Sequence, residues 1–297
     1  MNVRIPPINR VKGFGWKKDK VDKNDYTMEH PVVSKVLAAI KKDCAGGPVD
    51  NRQWCSDIED QQQLGSCTAN AGTSLVEFYE NKITGTYMDG SRLYLYRRTR
   101  QLENPDYIQG YIGDTGAELR DTMKALVLYG VCDEAYWPYT DADPAFDNEP
   151  PSFCDGFAEN FKVLTYYKLD PAKTTPEHVL RNVKHLLCQG GAAMFGFTVY
   201  ASIFKVSEDG SIPFPGQHDQ MAGGHAVLAV GYDDERSIPL SDGSSNTTGA
   251  ILIKNSWGWS WGDRGYGWLP YEYVLAGLAT DWWSVVNEEW VNLPDFE

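Results

Sequence analysis

One cysteine, one histidine and one asparagine, each in a distinctive local context, carry the chemistry legible in this sequence. Cys67 follows Gly65-Ser66, and Gln61 stands six residues before it. His225 follows Gly223-Gly224 ahead of the apolar run Ala226 to Val230, and Asn255 leads Asn255-Ser256-Trp257-Gly258. In that order they read as a thiol nucleophile, its base and the group that orients the base. A thiol is a poor nucleophile until it loses its proton. Placed at the start of a helix, Cys67 gains from the unpaired N–H groups and the positive dipole end, which lower its pKa. A hydrogen-bonded His225 forms a thiolate–imidazolium pair and stores the proton for a leaving amine. Asn255 offers the second ring nitrogen a neutral acceptor, and Trp257 shields that bond from water. The side-chain amide of Gln61 and the backbone N–H of Cys67 are candidate donors to an oxyanion. Each residue alone reads as ordinary packing; the ordered set does not. His30, His178, His185 and His218 have no such company.

Elements must bring these distant segments together. A helix is expected over residues 67–81, capped by Ser66, with Ala71, Leu75 and Phe78 on its apolar side. Two more are expected over 91–102 and 116–129, the latter stopped by Gly130. Residues 138–151 read as loop. Strands are expected over 161–167, 192–199, 226–232, 250–254 and 266–269, with a helix over 178–187. A helical half followed by a strand-rich half is an α+β protein with two lobes, about 51–160 and 161–297. Residues 1–50 read as a separate leader: a polar run over 17–25, a short helix over 31–42, and Gly46-Gly47-Pro48 as a break. The polar stretch 234–249 reads as an exposed insertion.

Bulk properties narrow the function further. The 297 residues carry a formal charge of −14, with an isoelectric point near 4.8. That balance disfavours nucleic acid and anionic membranes as partners. No apolar run is long enough for a transmembrane helix, and residues 1–20 contain no secretory h-region. A cytoplasmic or non-classically exported protein is therefore expected. Asn246-Thr247-Thr248 fits a glycosylation sequon of little weight without secretion. The six cysteines include no C-x-x-C, so no metal site is expected. Setting Cys67 aside leaves an odd number: buried reduced thiols are the plain reading, with one local disulfide such as Cys44–Cys55 as an alternative.

The motifs resemble those of the papain-like cysteine proteases over about residues 50–297. Gln61 with Gly65-Ser66-Cys67, His225-Ala226-Val227 with Gly231-Tyr232, and Asn255-Ser256-Trp257-Gly258 with Trp261-Gly262 and Gly265-Tyr266 carry the likeness. Gly130-Val131 and Tyr136-Trp137-Pro138-Tyr139 extend it. The resemblance implies a helical left lobe and a β-barrel-like right lobe with the active site in the cleft between them. It further implies peptide-bond hydrolysis through a thioester acyl-enzyme, no metal or organic cofactor, and a peptide or protein substrate. Substrate backbone is expected near Gly116, Ala117 and Gly224. Asp281 falls near the pocket for the second residue upstream of the cleaved bond, where a carboxylate would favour Arg or Lys. A monomer is expected. The chain departs from the family at Leu64 and Asp114, where a disulfide is absent, and at Ala117, where glycine is customary. The intervals from Cys67 to His225 and to Asn255 exceed the about 130–150 residues usual for the family; the polar insertion accounts for much of the second excess. The N-terminal part resembles the short leader of bacterial members and is expected to lie over or beside the cleft and restrain activity. Exopeptidase or acyl-transfer activity on the same site, or a catalytically silent binding protein, are the alternatives to an endopeptidase.

Overall fold

A computed structural model describes residues 13–39, 46–107, 110–163 and 165–286. In chain order its elements begin with strand β1 (Trp16–Lys17), helix α1 (Pro31–Ala39) and strand β2 (Val49–Asp50). Helices α2 (Cys67–Thr84) and α3 (Arg92–Glu103) follow, then β3 (Ala117–Glu118), α4 (Leu119–Leu128) and α5 (Ser152–Ala158). The second half contains β4 (Thr165–Lys168), α6 (Pro176–Cys188), β5 (Ala193–Tyr200), β6 (Met221–Pro239), β7 (Asn246–Lys254), β8 (Tyr266–Pro270), α7 (Glu272–Leu275) and β9 (Ala279–Val286).

Helices in the first half and strands in the second make the α+β arrangement expected. The sheet runs β4-β9-β5-β6-β7-β8, with β2 paired to β6. It is open: among the described residues no pairing joins β4 to β8, so the barrel-like right lobe is a twisted sheet without closure. Alternation along its strands fills two cores, because successive side chains point to opposite faces. Val227, Ala229, Ile251, Ile253 and Trp282 face a core with α6, α7 and α1. Ala226, Leu228, Val230, Leu252 and Trp283 face another with α2, α3 and α4. Val33 and Val36 of α1 are buried in the first core, so this part of the leader is packed into the body.

Local chemistry explains where the helices sit. Helix α2 is buried through most of its length, and its small residues permit this. A Cβ on Gly72 would come within 2.9 Å of Thr122 on α4. Helix α3 is capped by the Ser91 side chain, which accepts from the Tyr94 N–H at 3.1 Å. Ser66, expected to cap α2, does not do so; its hydroxyl contacts the Tyr139 hydroxyl at 2.7 Å and accepts from Asn70 Nδ2. Residues 234–249 are not an irregular insertion, since β6 and β7 extend through them as a two-stranded ribbon. Cys55, Cys67, Cys132 and Cys154 are free thiols, so Cys55 takes no part in a disulfide with Cys44, which lies outside the described residues. Cys188 is disulfide-bonded, against the expectation of reduced cysteines throughout. None of the helices described is long and apolar enough to cross a membrane.

Candidate active site

Cys67 is the first residue of α2, as its sequence context requires. His225 lies inside β6 rather than at its start, and Asn255 follows directly on β7. Because β6 and β7 are antiparallel neighbours, the two side chains meet: His225 Nε2 is 2.8 Å from Asn255 Oδ1. Trp257 stacks on the imidazole, with ring centroids 4.5 Å apart, covering that bond as expected. Sulfur reaches the same strand, with the N–H groups of Ala226, Gly15 and Thr68 near enough to favour its thiolate. Cys67, His225 and Gln61 are fully buried.

The loop before Cys67 is fixed from several sides. Backbone N–H of Gln61 donates to Ser256 O at 2.9 Å, linking the loop to the residues after Asn255. The Gln61 side chain is aimed by two bonds: Oε1 accepts from Ser256 Oγ at 2.6 Å, and Nε2 donates to Leu64 O at 2.9 Å. Tyr139 donates its hydroxyl to Gln61 O at 2.8 Å. Asp114 accepts from Gly65 N–H at 3.1 and 3.0 Å and from the Tyr96 hydroxyl; that hydroxyl in turn accepts from Gly116 N–H at 2.9 Å. A carboxylate thus ties together the two loops between which the family disulfide is missing.

Residues 13–19 lie across this site. Gln61 Nε2 donates to Gly13 O at 2.8 Å, and Gly15 N–H lies against the sulfur. Phe14 packs edge-on to His225 and to Trp257, at 6.3 and 6.1 Å between centroids. Strand β1 pairs in parallel with β3, matching Trp16 to Ala117, and Ala117 N–H donates to Gly15 O at 2.7 Å. Such closeness demands glycine: a Cβ on Gly15 would stand 1.7 Å from Gly65 O. Gly116, at φ +65°, has Gly15 O where its own Cβ would point, and Gly224 has the Trp16 ring there. Asp281, also expected to meet substrate, is buried and accepts from Asp19 N–H at 2.9 Å. Its other oxygen is 3.2 Å from Lys168 Nζ.

Covering the site changes its electrostatics. Burial pushes the Cys67 thiol up to about 11, against the pull of the three amides on its sulfur. The low thiol pKa expected from a helix start and a nearby imidazole is therefore not a property of the covered site, where desolvation of the thiolate outweighs those amides.

The structure thus brings His225 and Asn255 into contact, ties Gln61 to Ser256 and sets Cys67 beside Ala226, the residue after His225. The motifs gave no signal for Ser256 and Asp114 as supports, nor for Phe14 and Trp16 as the residues on the cleft. Residues 47–283 match the family model described as papain family cysteine protease. This chain belongs to the papain family of cysteine proteases. It is 35% identical to an uncharacterised peptidase C1-like protein of Acanthamoeba polyphaga mimivirus, over 92% of this chain and 86% of that one. The oryzain gamma chain of Oryza sativa subsp. japonica is 28% identical, over 92% of this chain and 68% of that protein. Among solved structures, xylellain, a cysteine protease from Xylella fastidiosa, superposes with a TM-score of 0.73 at 32% identity, covering 93% of this chain and 97% of its own. The protein is a cysteine peptidase, a hydrolase of the papain-like α+β fold.

Proposed function

We propose that this peptidase is an endopeptidase restrained by its own residues 13–19, ahead of a peptidase domain spanning 51–297. Cys67 attacks the substrate carbonyl, His225 takes the thiol proton and returns it to the leaving amine, and Asn255 holds the imidazole in orientation. The Gln61 side-chain amide and the Cys67 N–H stabilise the oxyanion of each tetrahedral intermediate. Water then hydrolyses the thioester. The observation that carries the reading is the course of residues 13–19. Gly13 O sits on Gln61 Nε2, Gly15 N–H on the sulfur, and Trp16 on the β3 strand. An uninterrupted chain with residues on both sides of the nucleophile is what an endopeptidase cleft must admit.

The full-length chain with Phe14→Ser and Trp16→Ala tests the restraint. Truncating two ring contacts on a partly buried surface should weaken docking by about 2–4 kcal/mol. Stoichiometric labelling of Cys67 by an epoxide peptide should then run about tenfold or more faster than in the parent chain, with internal peptide bonds cleaved in a peptide library. Equal labelling rates in the two chains would reject the restraint, and cleavage confined to terminal bonds would reject the endopeptidase.

A further inference from the structure

We propose that Gly196 makes the pocket occupied by Trp16 an indole site, and so selects substrates carrying tryptophan at the residue that pairs with β3. This rests on the peptidase reading above and names its substrate class. The Trp16 ring lies against bare backbone at Gly196 and Gly224. A Cβ on Gly196 would stand 2.0 Å from Trp16 Cε2 and 2.3 Å from both Cδ2 and Nε1; one on Gly224 would stand 2.8 Å from Cε3. Neither contact could be relieved by rotating a flexible chain end, because both fall on a rigid ring.

Backbone conformation does not explain these glycines. Gly196 lies in the interior of β5, paired with Ala226 on one side and Thr280 on the other, and Gly224 pairs with Thr198. Gly196 has no positive φ. Glycine in a strand interior weakens the strand and commonly marks a close approach. Here the approaching group is the indole. Ala226 completes the small-residue floor beside Gly196.

The chemistry of the walls fits an uncharged aromatic ring. Among the described residues, Trp16 Nε1 and Thr280 Oγ1 are buried without a hydrogen-bond partner, so the ring is held by contact alone. The carboxylate of Asp281, one residue beyond Thr280, is already engaged by Lys168 Nζ and the Asp19 N–H. An Arg or Lys entering the pocket would have to displace Lys168 from it. A tryptophan side chain meets no such competition.

The test uses the full-length chain with Trp16→Ala, which vacates the pocket, and blocked fluorogenic peptides bearing Trp, Val or Arg at the second residue upstream of the cleaved bond. The Trp-to-Val ratio of kcat/KM should be about ten or more, the scale of size discrimination by an apolar pocket. Adding Gly196→Ala should lower that ratio, and Gly196→Val should bring it below one. A parallel measurement needs no turnover: the same variants with Cys67→Ala, folded by circular dichroism, are titrated calorimetrically with the Trp and Val peptides. Hydrolysis of all three peptides with equal kcat/KM, or a Trp-to-Val ratio unmoved by both Gly196 substitutions in either assay, overturns the indole site and leaves the peptidase intact. Selective binding of the Trp peptide, lost in Gly196→Val, with no hydrolysis of any peptide, upholds the pocket and overturns the endopeptidase reading.

Discussion

The residues around Cys67 and the residues that cover it are held in place by different means. Cys67, His225 and Asn255 are set by regular backbone: a helix start, a strand interior and the residue just past the neighbouring strand. Gly13 to Asp19 take their shape from what they touch, namely Gln61, the sulfur, Ala117, the sheet floor at Gly196 and Asp281. The contacts among Cys67, His225 and Asn255 come from α2, β6 and the residue after β7.

Gln61 belongs to both regions, and breaking it should give the largest effect. Its Nε2 is a candidate oxyanion donor and also holds Gly13 O. In the Trp16→Ala chain, Gln61→Ala should lower kcat about 10²–10³-fold, the usual cost of one oxyanion donor, with KM changed far less. In the Trp16-containing chain the same substitution should also speed epoxide labelling of Cys67, since it removes one anchor of the segment. A fall in kcat/KM arising wholly from KM would show that Gln61 binds substrate without stabilising charge.

Legibility in the sequence follows the same division. The spacing of Ala71, Leu75 and Phe78 announces α2, and the apolar run from Ala226 announces β6, because burial against a core imposes a period. The ordered cysteine, histidine and asparagine announce the chemistry. An extended segment docked on a surface has no period, so residues 13–19 carry no such signal. Gly13 and Gly15 are glycines because loop backbone lies less than 3 Å from where their side chains would be, which requires knowing what they meet. The open sheet was hidden for a related reason: strand patterns show which face is buried but not whether the end strands pair. Ser66 misled because a hydroxyl before a helix usually caps it; Tyr139 and Asn70 take it here.

Asp19 makes the covering segment pH-sensitive, and the sign follows from its environment. Burial, then the charge of Asp281, raise its carboxyl to about 6, while Lys168, the Arg120 N–H and the Trp283 indole N–H pull it down. Undocked in water it titrates near 4. Docking therefore takes up a proton between about pH 4 and 6. The added stability is fully present below about 4 and is lost as pH rises through about 6. Its ceiling is about 3 kcal/mol. Asp19→Asn removes the titration. The ratio of parent to Asp19→Asn labelling rates at Cys67 should thus climb about tenfold or more from pH 4 to 6.5, with the ionisation of the thiol cancelling in the ratio. A flat ratio would mean that Asp19 does not govern release.

Asp114 allows the backbone-held side of the comparison to be probed on a smaller scale. It stands where a family disulfide is missing and accepts from Gly65 N–H and the Tyr96 hydroxyl, whose oxygen in turn takes Gly116 N–H. Hydrogen bonds to charged groups contribute about 1.5–3 kcal/mol, and the low end applies to Asp114 because the residue is exposed. Asp114→Ala removes those bonds, so urea denaturation should show a loss of about 1–1.5 kcal/mol, with Asp114→Asn losing less because its amide oxygen still accepts. If this chain of bonds also positions Cys67, kcat in the Trp16→Ala background should fall several-fold in Asp114→Ala and recover in Asp114→Asn. Lower stability with kcat unchanged would confine Asp114 to holding the two loops together and leave α2 alone to aim the sulfur.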